Sequence, residues 1–291
     1  MSAASTTPLW GCWEATWQAA ATLPSDREIA VRLKAPSGRE RLRSAFWDGG
    51  TTWRVRFAPD EVGEWRYAVD GAGLAPGLDG VTGGFTVSRA AGVDPGAPAD
   101  RFRAHGPIRV AGNGRYLEHQ DGTPFFWLGD TAWDGPLLAR VDEWDTYLAD
   151  RARKHFTTIQ YVPTAPWRTA YADGQGHIAF SGHEHLTLHP EFFRRMDRRV
   201  EAIAAAGFLS AIVLLWAIRG AENPGYSLPE DQAIRLARYL TARYGAYPTA
   251  WLLAGDGDYT GDAVGRWQRI GRGVFPDTDR APVTLHAGGM R

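Results

Sequence analysis

The stretch "FLSAIVLLW" (208–216) decides the fold of this 291-residue chain. Ser210 is its one polar residue, so a strand formed here must be buried on both faces. The preceding segment, "PEFFRRMDRRVEAIAAAG" (190–207), has the periodicity of a helix that ends at Gly207. A buried strand that directly follows a helix is typical of a parallel sheet covered by helices.

The same alternation of strands and helices extends in both directions from this stretch. Strands are predicted at 125–130, 156–163, 208–216, 249–256 and 281–289, and helices at 141–155, 190–207, 229–245 and 262–273. A (β/α) barrel and an open doubly wound sheet are both compatible with that order. The loop "GDTAWDG" (129–135) lacks the glycine-rich pattern that binds phosphates, which disfavours a nucleotide-binding sheet.

The N-terminal third has a different pattern, in which apolar and polar residues alternate. The alternating segments are bounded by Gly, Pro and Asp, and they cover 27–36, 41–50, 51–59, 63–70 and 83–89. This pattern predicts a small antiparallel, Ig-like β-sandwich, with Trp47, Trp53 and Trp65 in its core. The expected domains are therefore a β-sandwich at 1–89, a linker at 90–104 and a partial (β/α) barrel at 105–291.

Polar and aromatic residues occur where several of the predicted parallel strands end. Active sites of (β/α) barrels lie at the carboxyl ends of the strands, so these residues are the candidates for a site. Asp256, in "WLLAGDGDY" (251–259), is the predicted catalytic acid, and Asp258 lies one step further into the loop. The predicted substrate-binding residues are Asp130, Trp133, Gln160, Trp167 and Trp216.

Composition narrows the classes of partner. The formal net charge is -1 and the basic residues are dispersed, so neither nucleic acid nor a membrane surface is expected as a partner. The 13 tryptophans instead favour sugars, because flat indole faces stack on sugar rings. A single cysteine excludes a disulfide within the chain and a cysteine-based zinc site. No signal peptide is visible at the start, so the cytoplasm is the default expectation while the localisation stays open.

No cofactor and no metal are predicted, because each of two candidate metal-binding motifs is incomplete. The stretch "GDGDYTGD" (255–262) spaces Asp256, Asp258 and Asp262 but lacks the terminal glutamate of a calcium-binding EF-hand loop. The histidines of "GHEHLTLH" (182–189) lack the helical spacing of a common zinc motif.

Five segments resemble, in order, the apiosidase-like TIM-barrel glycoside hydrolases. They are "DGTPFFWLGDTAWDG" (121–135), "DRARKHFTTIQYVP" (150–163), "HPEFFRRMDRRVEAIAAAG" (189–207), "RYGAYPTAWLLAGD" (243–256) and "PVTLHAGG" (282–289). The segment "FWDGGTTWRVRFAPDEVGEWRY" (46–67) resembles the β-sandwich that often precedes such barrels. The resemblance implies a retaining hydrolase of plant-polysaccharide side chains, with Asp256 as acid/base and Asp130 and Trp133 in the sugar pocket.

The resemblance also implies a nucleophilic glutamate after a seventh strand. Glu230 is the last glutamate of the sequence, and only about five of eight barrel strands are predicted. We therefore expect a C-terminally truncated barrel, inactive as given, whose open strand edges favour self-association. Two other functions remain open, namely a non-catalytic carbohydrate-binding or scaffold protein and a metal-dependent hydrolase.

Overall fold

The computed structural model describes residues 5–164, 172–276 and 281–287. Its N-terminal part contains the strands β1 (Ser5–Pro8), β2 (Trp13–Gln18), β3 (Ala30–Lys34), β4 (Glu40–Ser44), β5 (Phe46–Trp47), β6 (Thr52–Phe57), β7 (Gly63–Asp70) and β8 (Thr82–Ser88). These strands form two sheets, ordered β1-β8-β7-β3-β4 and β2-β6-β5. Apolar side chains from both sheets share one core, in which Trp53 and Trp65 are buried as predicted, while Trp47 is half-buried against it.

A short antiparallel sheet follows the N-terminal sheets. A 3-10 turn (Pro98–Asp100) and helix α1 (Arg101–His105) lead into β9 (Ile108–Val110), β10 (Leu117–His119) and β11 (Pro124–Phe125). Phe102, Ile108 and Phe125 pack against Leu209 and Ala250, which lie at the amino ends of two later strands. This short sheet therefore covers the end of the main sheet at which the parallel strands begin.

The remaining elements build the parallel sheet predicted around 208–216. Its strands are ordered β12-β13-β16-β17-β18, and every neighbouring pair is parallel. The elements in chain order are β12 (Gly129–Trp133), α2 (Gly135–Leu138), α3 (Val141–Arg153), β13 (Thr158–Tyr161), β14 (Phe180–Ser181), β15 (Thr187–Leu188), α4 (Pro190–Ala205), β16 (Leu209–Trp216), α5 (Pro224–Ser227), α6 (Glu230–Tyr244), β17 (Thr249–Gly255), α7 (Ala263–Val274) and β18 (Val283–His286).

The first predicted strand, 125–130, is wrong in its position. Phe125 pairs antiparallel with Leu117, and the parallel sheet begins only at Gly129. Between these two residues the chain crosses from one sheet to the other. A hydrogen bond from the Leu128 amide to Thr157 Oγ1, at 2.9 Å, stabilises this crossing. Asp130 is consequently the second residue of its strand rather than the last.

The parallel sheet separates two apolar layers. One face packs against helices α3, α4, α6 and α7 in the largest core of the described residues. The other face carries a smaller cluster formed by Val162, Ala211, Val213, Trp216 and Leu252, with Trp133 packed on it. All eight residues of β16 and all seven of β17 are buried, as strands covered on both faces require.

A buried network of charges joins the N-terminal sheets to the helices. Arg243 of α6 has no exposed side-chain surface and reaches Asp197 of α4 and Asp48 at 2.7 and 2.9 Å. Arg56 of β6 donates to the same Asp197 carboxylate at 2.7 Å and to the Arg243 carbonyl at 3.1 Å. Each buried charge thus faces an opposite charge, which is the condition for tolerating it in a protein interior.

Acid should weaken this junction. Burial opposes ionisation of Asp197, but hydrogen bonds from Arg243 and Arg56 outweigh it and hold its pKa below the ordinary value. The unfolded chain therefore takes up the proton first, so this contribution to stability is present above about pH 4 and is lost as the pH falls through the folded-state pKa. Urea unfolding across this range should show a steeper loss of stability for the wild type than for Asp197→Asn. Equal pH dependence of the two proteins would contradict the assignment.

The end strands of the parallel sheet, β12 and β18, each pair on one side only among the described residues. Open edges of this kind can pair with another chain, and self-association through them stays a prediction. The domain boundaries at 89/90 and 104/105 also stay predictions. No helix in the described ranges is both long and apolar enough to cross a membrane.

Candidate functional site

Four of the predicted site residues meet around a residue that the sequence analysis missed, His286. His286 ends β18, and parallel pairing places it beside Gly255 at the end of β17. The Gln160 amide nitrogen lies 3.2 Å from His286 Nδ1. The imidazole ring also contacts two indoles, edge-on to Trp133 at 5.0 Å and stacked with Trp216 at 6.0 Å between ring centroids.

Asp256 follows directly after β17 and faces the same imidazole. Its Oδ1 lies 3.5 Å from His286 Nε2, and its amide donates to the His286 carbonyl at 3.0 Å. About a third of the Asp256 side chain, 34%, is exposed, and 29% of the His286 side chain. Both groups are therefore held by the strand ends while remaining open to a ligand from solvent.

Two residues of this site have a left-handed backbone. The φ angle is 47° at Trp133 and 50° at Asp256. Aspartate tolerates this region better than most residues, whereas a bulky tryptophan there is a real outlier. Strained conformations persist where the surrounding structure enforces them, and they concentrate at functional sites. The strain supports a role for both strand ends in holding a ligand or reacting group.

Gly255 lets Trp216 approach the end of β17. A Cβ atom at this position would overlap the six-membered ring of the Trp216 indole and lie 3.0 Å from Val213 Cγ1. Because both neighbours belong to the apolar cluster of the sheet, no flexible side-chain end is available to yield.

Replacing Gly255 by alanine should therefore displace Trp216 and lower the free energy of unfolding by about 1 to 3 kcal/mol, the usual effect of overpacking. Denaturant unfolding followed by tryptophan fluorescence measures it. Gly112→Ala is the matched control, because a Cβ atom there would meet nothing within 4 Å, and it should change stability by less than about 1 kcal/mol. Similar stability of the two variants would contradict the close contact.

The loop after β17 contains Tyr259 and Asp258, whose hydrogen bonds show their roles. The Asp258 carboxylate accepts hydrogen bonds from the amide and hydroxyl of Thr260, at 2.9 and 2.8 Å, so it stabilises the turn. Tyr259 accepts a hydrogen bond from the Gly257 amide at 3.2 Å. Burial raises the pKa of Tyr259 to about 12, and the charge of Asp256 adds to the rise. Tyr259 therefore keeps its hydroxyl proton beside the site.

Among the described residues, one predicted site residue, Asp130, does not join this group. Asp130 lies on the helix-facing side, where its carboxylate accepts a hydrogen bond from Tyr147 at 2.9 Å and pairs with Arg151, both on α3. These contacts occupy it away from His286, and its pocket role stays an untested prediction. Trp167 lies outside the described residues. The sequence offered a weaker signal for His286 than for Asp256, because His286 lies three residues before the end of the predicted strand 281–289 and ends only the observed β18.

The described residues bring together no group of three or more His, Cys, Asp or Glu side chains suited to a metal ion. His189, one of the histidines weighed as a zinc ligand, is instead 3.1 Å from the Ser181 hydroxyl. The described strand ends bring together one carboxylate, one imidazole, one amide and two indoles, with the Tyr259 hydroxyl nearby.

Among solved structures, a candidate glycoside hydrolase from Bacteroides vulgatus ATCC 8482 matches with a TM-score of 0.78 and 19% identity, over 98% of this chain and 56% of that one. A family 5 glycoside hydrolase from the same organism matches with a TM-score of 0.53 and 22% identity, over 63% of this chain and 40% of that one. The chain thus spans about half the length of these structures, and the likeness concerns the fold. No curated protein matches the chain.

Two family models match the sequence in succession. A domain of unknown function, DUF5060, matches residues 6–71, where the two N-terminal sheets lie. The model described as "Apiosidase-like, catalytic domain" matches residues 111–290, which is more than half of the chain and includes every residue around His286. The chain therefore belongs to the apiosidase-like family, whose fold is that of glycoside hydrolases.

Proposed function

We propose that the chain supplies the acid/base residue of a glycosidase site. This site would act on side chains of plant-type polysaccharides by a retaining mechanism. The observation that carries the proposal is the Asp256 carboxyl, which is partly exposed at the end of a buried strand and faces His286, whose ring contacts two indoles. The names of the structural neighbours, all glycoside hydrolases, favour a carbohydrate as the substrate.

The chemistry of glycosidic cleavage explains why this carboxyl is suited to the role. One carboxyl group must protonate the leaving oxygen, and a second must attack the anomeric carbon or activate water. A sugar ring placed against Trp133 would present its glycosidic oxygen near the strand ends, where Asp256 can donate a proton. Asp258 is a poorer candidate because its carboxylate is engaged by Thr260.

The finer fold belongs to the same proposal. The five parallel strands would be part of a (β/α) barrel of eight, and the two N-terminal sheets would be an Ig-like accessory sandwich. The proposed boundaries are 1–89 for the sandwich, 90–104 for the linker and 105–291 for the barrel portion. This assignment agrees with active sites lying at the carboxyl ends of barrel strands.

The second carboxyl group is the open part of the proposal. No glutamate follows Glu230 in the 291 residues, so the nucleophile position that the family resemblance implies is not filled by these residues. We therefore expect the 291-residue protein to bind sugars and to protonate a leaving group, but to hydrolyse glycosides very slowly on its own. A non-catalytic carbohydrate-binding protein is the alternative, favoured by the same aromatic residues.

An added nucleophile separates these two possibilities. The 291-residue protein would be incubated with a panel of nitrophenyl glycosides, with and without azide. In the proposed reaction, azide attacks the anomeric carbon, the bond to the aryl oxygen breaks, and Asp256 gives its proton to the leaving aryloxide. We expect azide to accelerate release of nitrophenol, with a glycosyl azide as the product. Sugar binding without any azide-dependent cleavage would favour the binding protein instead.

A further inference from the structure

The Gln160 amide lies against one nitrogen of the His286 ring, with its Nε2 atom 3.2 Å from Nδ1. An amide N–H group is a donor only, so in this orientation of the amide Nδ1 is the acceptor. A neutral imidazole that accepts on Nδ1 bears its hydrogen on Nε2. That is the nitrogen 3.5 Å from Asp256 Oδ1.

We propose that His286 is a positioning residue for Asp256, with Gln160 fixing its tautomer. A hydrogen on Nε2 would then face Oδ1 of the carboxyl group, 3.5 Å away. The second oxygen, Oδ2, is then the one left to carry the proton that passes to a leaving group. This role rests on the proposed function of Asp256, but the tautomer and its cause do not.

The surroundings of His286 restrict the imidazole in the way this role requires. Trp133 packs edge-on at an interplanar angle of 74°, and Trp216 is nearly parallel at 26°. The two indoles are themselves in contact, with centroids 5.0 Å apart. With Gln160 on one nitrogen and indoles on the ring, rotation of the imidazole would break contacts on several sides. A distance of 3.5 Å is long for a hydrogen bond, but catalytic hydrogen bonds commonly tighten only when substrate is present.

The backbone keeps the same partners in register. Gly255 pairs with His286 in the parallel ladder, and the Asp256 amide donates to the His286 carbonyl at 3.0 Å. The two side chains are thus connected through both the backbone and the Nε2–Oδ1 approach. A shift of about 1 Å in a reacting group can cost about 100-fold in rate, so this connection has a measurable consequence.

The first test reads the tautomer without any activity. In protein labelled with a heavy nitrogen isotope at its histidines, long-range nitrogen–proton spectra in alkaline solution distinguish the protonated ring nitrogen. The signal of His286 is identified by its loss in His286→Gln. We expect the proton on Nε2 in the wild type. In Gln160→Glu the new carboxylate accepts a hydrogen bond, so the proton should move to Nδ1.

Gln18→Glu makes the same change of charge in the N-terminal sheet, where Gln18 contacts Thr51 and Thr52, and it should leave the His286 signal unchanged. A wild-type proton on Nδ1, or a tautomer that does not respond to Gln160→Glu, would overturn the proposal. This result decides the inference even if no glycoside of the panel is cleaved.

The second test separates positioning from packing. In the azide-supplemented assay, His286→Leu should lower kcat about 100-fold with a much smaller change in KM. His286→Gln, whose amide can place an N–H group near the position of Nε2, should recover most of that loss. A purely structural residue would lose activity to a similar extent in both variants, which would refute the role. If Asp256→Asn keeps its full rate, the proposed function fails while the tautomer result remains valid.

Discussion

Replacing Arg243 by methionine should lower the free energy of unfolding by about 3 to 5 kcal/mol, the largest stability change that we predict for a single substitution. The guanidinium is fully buried and bonds to Asp197, Asp48 and the Tyr239 hydroxyl. Methionine has a similar length but no charge, so it would remove one cationic partner from each of two buried carboxylates. Breaking a buried ion pair on one side is costly because the remaining charge stays desolvated.

The same helix supplies a matched control. Arg238 pairs with Glu28 at 2.6 Å, but the two side chains are 47% and 84% exposed. Arg238→Met should therefore cost less than about 1 kcal/mol, as is usual for surface ion pairs. Adding Asp197→Asn to Arg243→Met should cost less than the sum of the two single changes, because the residues share one network. Urea unfolding of the wild type and these four variants tests this, and equal effects of Arg243→Met and Arg238→Met would contradict it.

Replacing Asp256 by asparagine should lower the rate of azide-dependent cleavage by about 100- to 10,000-fold, the usual contribution of a general acid. The amide keeps the shape of the side chain but has no acidic proton to give to the leaving oxygen. Sugar binding should change little, because Trp133 and Trp216 remain in place. The measurement is the rate of phenol release from a phenyl glycoside, whose leaving group needs protonation.

Asp258→Asn is the control for this prediction, since it removes the same charge two residues away. Its carboxylate bonds to Thr260 and not to the strand-end group, so the rate should stay within about threefold of the wild type, equivalent to less than about 1 kcal/mol. A large loss in Asp258→Asn with none in Asp256→Asn would exchange the roles of the two acids.

The parallel sheet was predictable because its central strands are apolar throughout. The segments 208–216 and 249–256 could be buried on both faces, and they form β16 and β17 nearly as predicted. The segment 125–130 was misplaced because apolar content does not reveal a pairing partner. Its Phe125 belongs to the short antiparallel sheet, while Phe126 is 75% exposed where the chain crosses between sheets.

The site was predictable only in part, for a reason of distance along the chain. Asp256, Trp133, Gln160 and Trp216 were selected by their places near strand ends, and that reasoning applied equally to His286. Its contacts to Asp256 and Gln160 arise from strand register, which no local pattern encodes. Asp130 was selected in the same way, but it is the second residue of the observed strand and contacts α3, so its pocket role stays a prediction.

The charge network at the junction left no sequence signal. Arg243 lies near the end of a helix, where a basic side chain usually faces solvent and interacts favourably with the helix dipole. Its burial depends on Asp48, which directly follows β5, and on Asp197 of α4, and both are remote from Arg243 in sequence. Networks of this kind become visible only when separate parts of the chain are packed together.

The dependence of the rate on the leaving group tests the central claim, that Asp256 protonates the glycosidic oxygen. Wild type and Asp256→Asn would be compared with azide on a phenyl glycoside, whose leaving group needs a proton, and on the corresponding dinitrophenyl glycoside, whose leaving group does not. We predict a loss of about 100-fold or more for the phenyl glycoside and a far smaller loss for the dinitrophenyl glycoside. Equal losses on both substrates, or no loss on either, would contradict the assignment of Asp256 as the acid.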